Sequence, residues 1–194
     1  ATPEQDAELK QFDGQIERQK KLVRESLAKL DYSDPATLNP PPPVQTGETV
    51  WFEDAFPQNS KVERSGEPTM FVSADQGPVH TGKLALRRKA KGVAQDFFNN
   101  GASFEIPPNG EISVWCHLDP ADPPKAVMLQ FHTAGWNHRA VWGEEGAIPF
   151  GKVRTPERVR VGTLPETGKW VTLTVAADKL GLKPGIKITG FAFT

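Results

Sequence analysis

The sequence predicts a mainly β protein, a two-sheet antiparallel jelly-roll sandwich preceded by one N-terminal amphipathic helix. Three observations lead there. Eighteen prolines and seventeen glycines in 194 residues separate short apolar-alternating runs, as turns separate the strands of an all-β domain. From Thr49 onward apolar residues recur with the period of a half-buried strand. Before that the period is helical, and it stops at a run of prolines.

Thr2-Pro-Glu-Gln-Asp reads as a helix start, with a Thr cap, Pro at the first helical position and acids in the first turn. Leu9, Phe12, Ile16, Val23, Leu27 and Leu30 follow at spacings of three, four or seven, and Gln19 takes the missing inner position. Residues 1–34 are therefore expected to form a spacer helix. Its narrow apolar stripe suits a coiled-coil seam or packing along another body. Asp31-Tyr-Ser-Asp-Pro35 ends the helix, and Asn39-Pro-Pro-Pro-Pro43 makes a stiff polyproline linker within residues 35–47. The sandwich domain takes residues 48–194.

Its expected strands are Thr49–Phe52, Thr69–Ser73, Lys83–Arg88, Val93–Phe98, Glu111–Leu118, Ala126–His132, Arg139–Trp142, Arg158–Gly162, Trp170–Val175 and Ile186–Phe193. Turn clusters such as Ser65-Gly-Glu-Pro and Pro165-Glu-Thr-Gly lie between them. Asp178-Lys-Leu-Gly181 is one helical turn stopped by glycine. The final strand carries apolar residues to its end, so the native chain is expected to continue beyond Thr194. No charged-then-apolar leader stands at Ala1, as expected for a processed chain or an excised piece.

The stretch from Trp115 to Gly143 holds three of the four histidines and three of the five tryptophans. It reads as a central hairpin, Glu111–Leu118 with Ala126–His132, followed by a third strand. Ile112, Val114, Cys116 and Leu118 form its apolar face with Val127, Leu129 and Phe131, which makes Cys116 a buried, inert thiol. The outer face then carries Trp115 and His117 beside Met128, Gln130 and His132. Alternation puts Trp136, His138, Ala140 and Trp142 on one side of the next segment, and Asn137 and Arg139 on the other. Flat aromatics stack on the C–H faces of sugars, while amide, imidazole and guanidinium groups bind vicinal hydroxyls. Trp115, His117, Gln130, His132, Trp136, His138, Arg139 and Trp142 are accordingly the candidate ligand-binding residues, with a glycan as partner. The competing reading covers Trp115 and Trp142 with a loop or with the N-terminal helix.

Other chemistries find less. A formal net charge of −1 leaves no basic footprint for nucleic acid or anionic membrane. No apolar run approaches the ~18 residues of a membrane span. A single cysteine excludes an internal disulfide and offers no covalent haem motif. The histidines raise a metal reading only if they converge. The loop acids Glu53-Asp54, Asp119 with Asp122, and Glu144-Glu145 would suit a structural Ca2+ without defining a ligand spacing. No carboxylate pair, nucleophile elbow, P-loop or dinucleotide fingerprint is legible, so no enzyme is expected, and a polysaccharide-acting hydrolase or a metal-dependent lyase using the histidines ranks behind the binding readings.

Val50-Trp-Phe-Glu-Asp-Ala-Phe-Pro, Leu118-Asp-Pro-Ala-Asp-Pro-Pro-Lys-Ala-Val-Met-Leu-Gln-Phe-His, His138-Arg-Ala-Val-Trp-Gly and Gly162-Thr-Leu-Pro with Gly168-Lys-Trp-Val together resemble one domain type. It is the concanavalin/laminin-G-like domain of large secreted planctomycete-type proteins that also carry a c-type cytochrome domain and domains of uncharacterised function. Phe131 stands where members often have Trp, and Cys116 is unusual. The resemblance implies an extracytoplasmic location, no haem in this segment and a binding role inside a larger polypeptide. The alternative is a structural or docking domain packing against neighbouring domains of the same polypeptide.

Overall fold

The computed structural model describes residues 3–29 and 47–194, and the chain divides into two compact units, Ala1–Pro43 and Val44–Thr194. In the first, α1 spans Pro3–Leu27. Leu9, Phe12, Ile16, Val23 and Leu27 are all 49–59% exposed, as is Leu22, which lies outside the predicted stripe. The Thr2 cap, Leu30, the helix-ending Asp31–Pro35 and the proline run fall outside the described residues.

The second unit is mainly β, with ten strands among its described residues. β1 (Lys61–Ser65), β2 (Met70–Ser73), β3 (Leu84–Arg87), β4 (Gln95–Glu105) and β5 (Glu111–His117) come first. β6 (Ala126–His132), β7 (Trp136–Gly143), β8 (Val159–Gly162), β9 (Trp170–Ala176) and β10 (Lys187–Phe193) follow. Nine of the ten expected runs meet a strand. The exception is Thr49–Phe52, which forms no ladder. Trp51 and Phe52 serve as packing plugs there, Trp51 stacking on Phe104 at 4.6 Å and Phe52 on Phe98 at 6.0 Å. β1 has no alternating signal, because Lys-Val-Glu-Arg-Ser offers one apolar residue. It is an edge strand with only Val62 and Glu63 half-covered, and such strands need little hydrophobic pattern.

A six-stranded sheet runs in the order β1-β4-β10-β6-β7-β8, and β2–β3 and β5–β9 form two separate pairs. All pairings are antiparallel except β7–β8. The expected central hairpin is therefore overturned. β5 pairs along its whole length with β9, whereas β6 lies between β10 and β7. The connection Asp119-Pro-Ala-Asp-Pro-Pro-Lys125 explains this, since it is too long and too proline-rich for a tight hairpin turn. It carries the chain from one sheet to the other. The hairpin that does form is β6–β7, closed through Thr133-Ala-Gly135.

The core lies between these layers, in a sandwich-like arrangement. Phe98, Leu129, Phe131, Ala140, Trp142 and Phe191 from the large sheet meet Ile112, Leu173 and Val175 from β5–β9. Val114 and Cys116 pack against the same cluster, so the apolar face of β5 lies as its alternation required. Burial pushes the Cys116 thiol up to about 11. Ala177–Leu180 is the expected single turn, ended by Gly181 at φ 73°.

A second cluster covers part of the opposite face of the large sheet. The segment between β7 and β8 folds over β6 and β7, so that Ile148 packs with Ala126, Met128 and Val141. It leaves β7 at Gly143, whose φ is 100° and where an added Cβ would lie 2.4 Å from the Lys125 carbonyl. Only glycine fits that corner. At the sheet edge Asp96, fully buried, receives Arg64 Nε at 3.1 Å and a close ion pair from Arg88. Asp54 accepts the Lys83 and Leu84 amides at 2.7 and 2.8 Å, and these hold its carboxyl below the usual range.

Candidate functional site

The register of β6 against β7 sorts the predicted residues. Gln130 opposes Arg139 and Met128 opposes Val141, on the outward face of the large sheet. Phe131 opposes His138, Leu129 opposes Ala140 and Val127 opposes Trp142, on the core face. The ladder then slips: His132 opposes Trp136, leaving Asn137 as an extra residue. One inserted residue reverses the face of everything before it. Trp136 thus shares the outward face with Gln130, His132 and Arg139, while His138 and Trp142 turn inward. The expectation that Trp136, His138 and Trp142 share a side is corrected by this bulge.

Gln130, only 4% exposed, is the hub of the outward face. Its Nε2 donates to Gln95 Oε1 at 2.9 Å and to Thr194 Oγ1 at 2.8 Å, and its Oε1 accepts Arg139 Nε at 2.8 Å. The amide is thereby saturated on the donor side and locked in orientation. Arg139 also gives Nη1 to the Glu157 carbonyl at 3.1 Å. Burial lowers Arg139 from its ordinary value; the Glu157 carboxylate opposes that shift and Arg158 adds to it.

His132 Nδ1 lies 2.8 Å from Thr189 Oγ1, and that hydroxyl is within 3.3 Å of the His132 carbonyl and 3.2 Å of the Thr133 carbonyl. A hydroxyl donating to a carbonyl accepts from Nδ1–H, so the neutral ring carries its lone pair on Nε2. Trp136, half-buried, meets His132 at 5.2 Å and Phe97 at 5.9 Å, both steeply inclined. Among the described residues no ring lies flat on it.

Trp115 and His117 stand elsewhere, on β5. His80 stacks on Trp115 at 3.8 Å and 20°, and Trp170 meets both His80 and His117 edge-on at 5.6 Å. Trp115 is 47% exposed. Sequence reasoning missed His80 and Trp170. His80 sits in the non-alternating connection from β2 to β3, and Trp170 joins the group only because β9 pairs with β5, opposite His117.

His138 is held at both nitrogens, Nδ1 by the Leu180 carbonyl at 2.7 Å and Nε2 by Thr133 Oγ1 at 3.3 Å. Trp142 is 5% exposed and belongs to the core. Neither presents a ligand surface. The three clustered histidines thus point to three places, and among the described residues no three His, Cys, Asp or Glu side chains gather. Of the loop acids, Asp54 caps β3 as above and Asp119 accepts the Ala121 amide at 2.9 Å.

No helix among the described residues is long and apolar enough to cross a membrane. No family model matches the chain, and neither a curated protein nor a solved structure matches it.

Proposed function

We propose that this chain is a non-catalytic carbohydrate-binding module, a jelly-roll sandwich of the concanavalin/laminin-G-like kind. It would serve within a larger extracytoplasmic protein of the planctomycete, cytochrome-associated type. The binding surface is the outward face of the six-stranded sheet, with Trp136, His132 and Arg139 as contact groups and Gln130 as the residue that positions Arg139. One observation carries the reading: among the described residues Trp136 has no ring lying flat on it, and it stands beside an ordered imidazole and a Gln–Arg network. A pyranose ring needs that combination, an apolar face flanked by fixed polar groups. At Trp115 the stacking place is already taken on one side by His80. The jelly-roll reading is supported by the repeated crossings between layers, from β4 to β5, β5 to β6, β8 to β9 and β9 to β10.

Affinity electrophoresis against a panel of soluble polysaccharides, with and without EDTA, tests the assignment. Wild type is expected to be retarded by one polysaccharide class, and Trp136→Ala to lose at least roughly tenfold in affinity while remaining folded. Retention unchanged in Trp136→Ala removes this surface from the reading. Loss on EDTA would add a bound cation.

The alternative, docking against neighbouring domains of the same polypeptide, is favoured by one observation: the apolar stripe of α1 is at least half-exposed at nearly every position. It predicts association that sedimentation velocity detects with residues 3–29 present and not after their removal.

A further inference from the structure

The outward face holds a feature that neutral sugar recognition does not require. Arg158 is 6% exposed, and its Nε and Nη2 are enclosed without a hydrogen-bond partner among the described residues. A guanidinium does not shed its proton to escape burial, so enclosing it unpaired is costly. Elsewhere the fold avoids that cost. Arg88, the other deeply placed guanidinium, also has an enclosed Nε without a partner, but its charge is ion-paired to Asp96, which Arg64 shares.

Arg158 has company of its own sign. Arg139 lies close enough for the two charges to repel, and its hydrogen bonds go to neutral acceptors, the Gln130 amide and the Glu157 carbonyl. The Glu157 carboxylate acts on Arg139, but it is exposed, and its Oε2 accepts the Lys152 amide at 3.2 Å. Neither guanidinium forms an ion pair among the described residues. Beside them the backbone packs closely at Gly151, whose φ is 79° and where an added Cβ would lie 2.2 Å from the Glu157 carbonyl oxygen and 2.9 Å from Arg139 Nη1.

We propose that Arg139 and Arg158 form an anion site on the outward face of the six-stranded sheet, and that the glycan bound there is acidic, carrying carboxylate or sulfate. This rests on the binding reading above for the glycan, while the anion site stands on the arginine pair itself. Planar oxyanions match the guanidinium fork and accept two parallel hydrogen bonds from it. Gln130, bonded to Arg139, places that charge next to the Trp136–His132 platform along β6 and β7.

The test uses the whole chain as wild type, Arg158→Met and Arg139→Gln. In affinity gels, wild type is expected to bind a polyuronate or a sulfated dextran roughly tenfold more tightly than the parent neutral dextran. Added salt should erode the difference. Both variants are expected to bring the ratio of charged to neutral binding to about one. Separately, sodium glucuronate and sodium sulfate are compared with sodium chloride at equal ionic strength by thermal melting. The readout is the wild-type shift minus the Arg158→Met shift, which cancels the general stabilisation by sulfate.

Equal binding of charged and neutral polymers, with no wild-type-specific shift from either free anion, overturns the anion site and leaves the glycan reading in place. Retention of no polymer sinks the glycan reading, and the melting comparison then decides the anion site by itself. A shift confined to wild type supports a small-anion site, and equal shifts in both proteins refute it. Arg158→Met is itself informative without ligand, because an orphan guanidinium predicts a melting temperature unchanged or raised.

Discussion

Trp142 and Trp136 look alike in the sequence, six residues apart in one alternating segment, and the structure gives them opposite roles. Trp142→Ala is the sharpest test of that assignment. Trp142 is 5% exposed and packed in the main core cluster. A buried Trp removes roughly 150–250 Å2 from water, which at ~25 cal/mol per Å2 is about 4–6 kcal/mol. Alanine keeps a fraction, and the cavity left behind adds to the loss, so about 3–5 kcal/mol is expected. For a unit of this size that lowers the melting temperature by roughly 6–20 °C. Trp136, half-buried on an open face, should cost about 1 kcal/mol when truncated. The assay is urea unfolding followed by far-ultraviolet circular dichroism, since each variant deletes a fluorophore, alongside polysaccharide retention. The expected pattern is a crossed one: Trp142→Ala unstable but retained while folded, Trp136→Ala stable but not retained. A Trp142→Ala protein of wild-type stability that has lost retention would refute the register argument.

Asp96→Asn keeps the volume but strands Arg88, and should destabilise by roughly 3 kcal/mol, the lower end for a broken buried pair because Arg64 reaches solvent. Restoring most of that loss with Arg88→Met in the same chain would confirm that the penalty is the orphaned charge; no recovery would contradict it. Cys116 should resist thiol reagents at pH 8 in the folded chain and react fully in denaturant. Because its folded value, about 11, lies above the ordinary 9.0, its contribution is intact below pH 9 and is lost as the pH rises toward 11. The size of that loss is on the order of 2 kcal/mol, and Cys116→Ala should flatten this part of the stability–pH curve.

The classes of the elements and most of their positions are local properties of the chain. The helical stripe from Leu9 to Leu27 and the alternation in β5 are local patterns, written in side-chain spacing alone. The inward apolar face of Ile112, Val114 and Cys116 follows from the same alternation. The glycine stop after Leu180 is local too, carried by one residue that takes the left-handed conformation. Tertiary structure decided what the elements do to one another. Pairing β5 with β9 rather than with β6, its neighbour in the chain, is a long-range choice: the proline-rich connection Asp119–Lys125 disfavours a tight hairpin, but nothing local names β9 as the partner. It moved Trp115 and His117 away from Gln130 and His132, and brought Trp170 and His80 to them. The bulge at Asn137 is a single added residue, invisible to a period of two, yet it set Trp136 outward and His138 and Trp142 inward. Both faces of β6 are covered, so its outer Met128 and Gln130 are as buried as its inner Leu129 and Phe131. Periodicity reports which side chains share a face. Only the packing of strands and loops decides which face meets water.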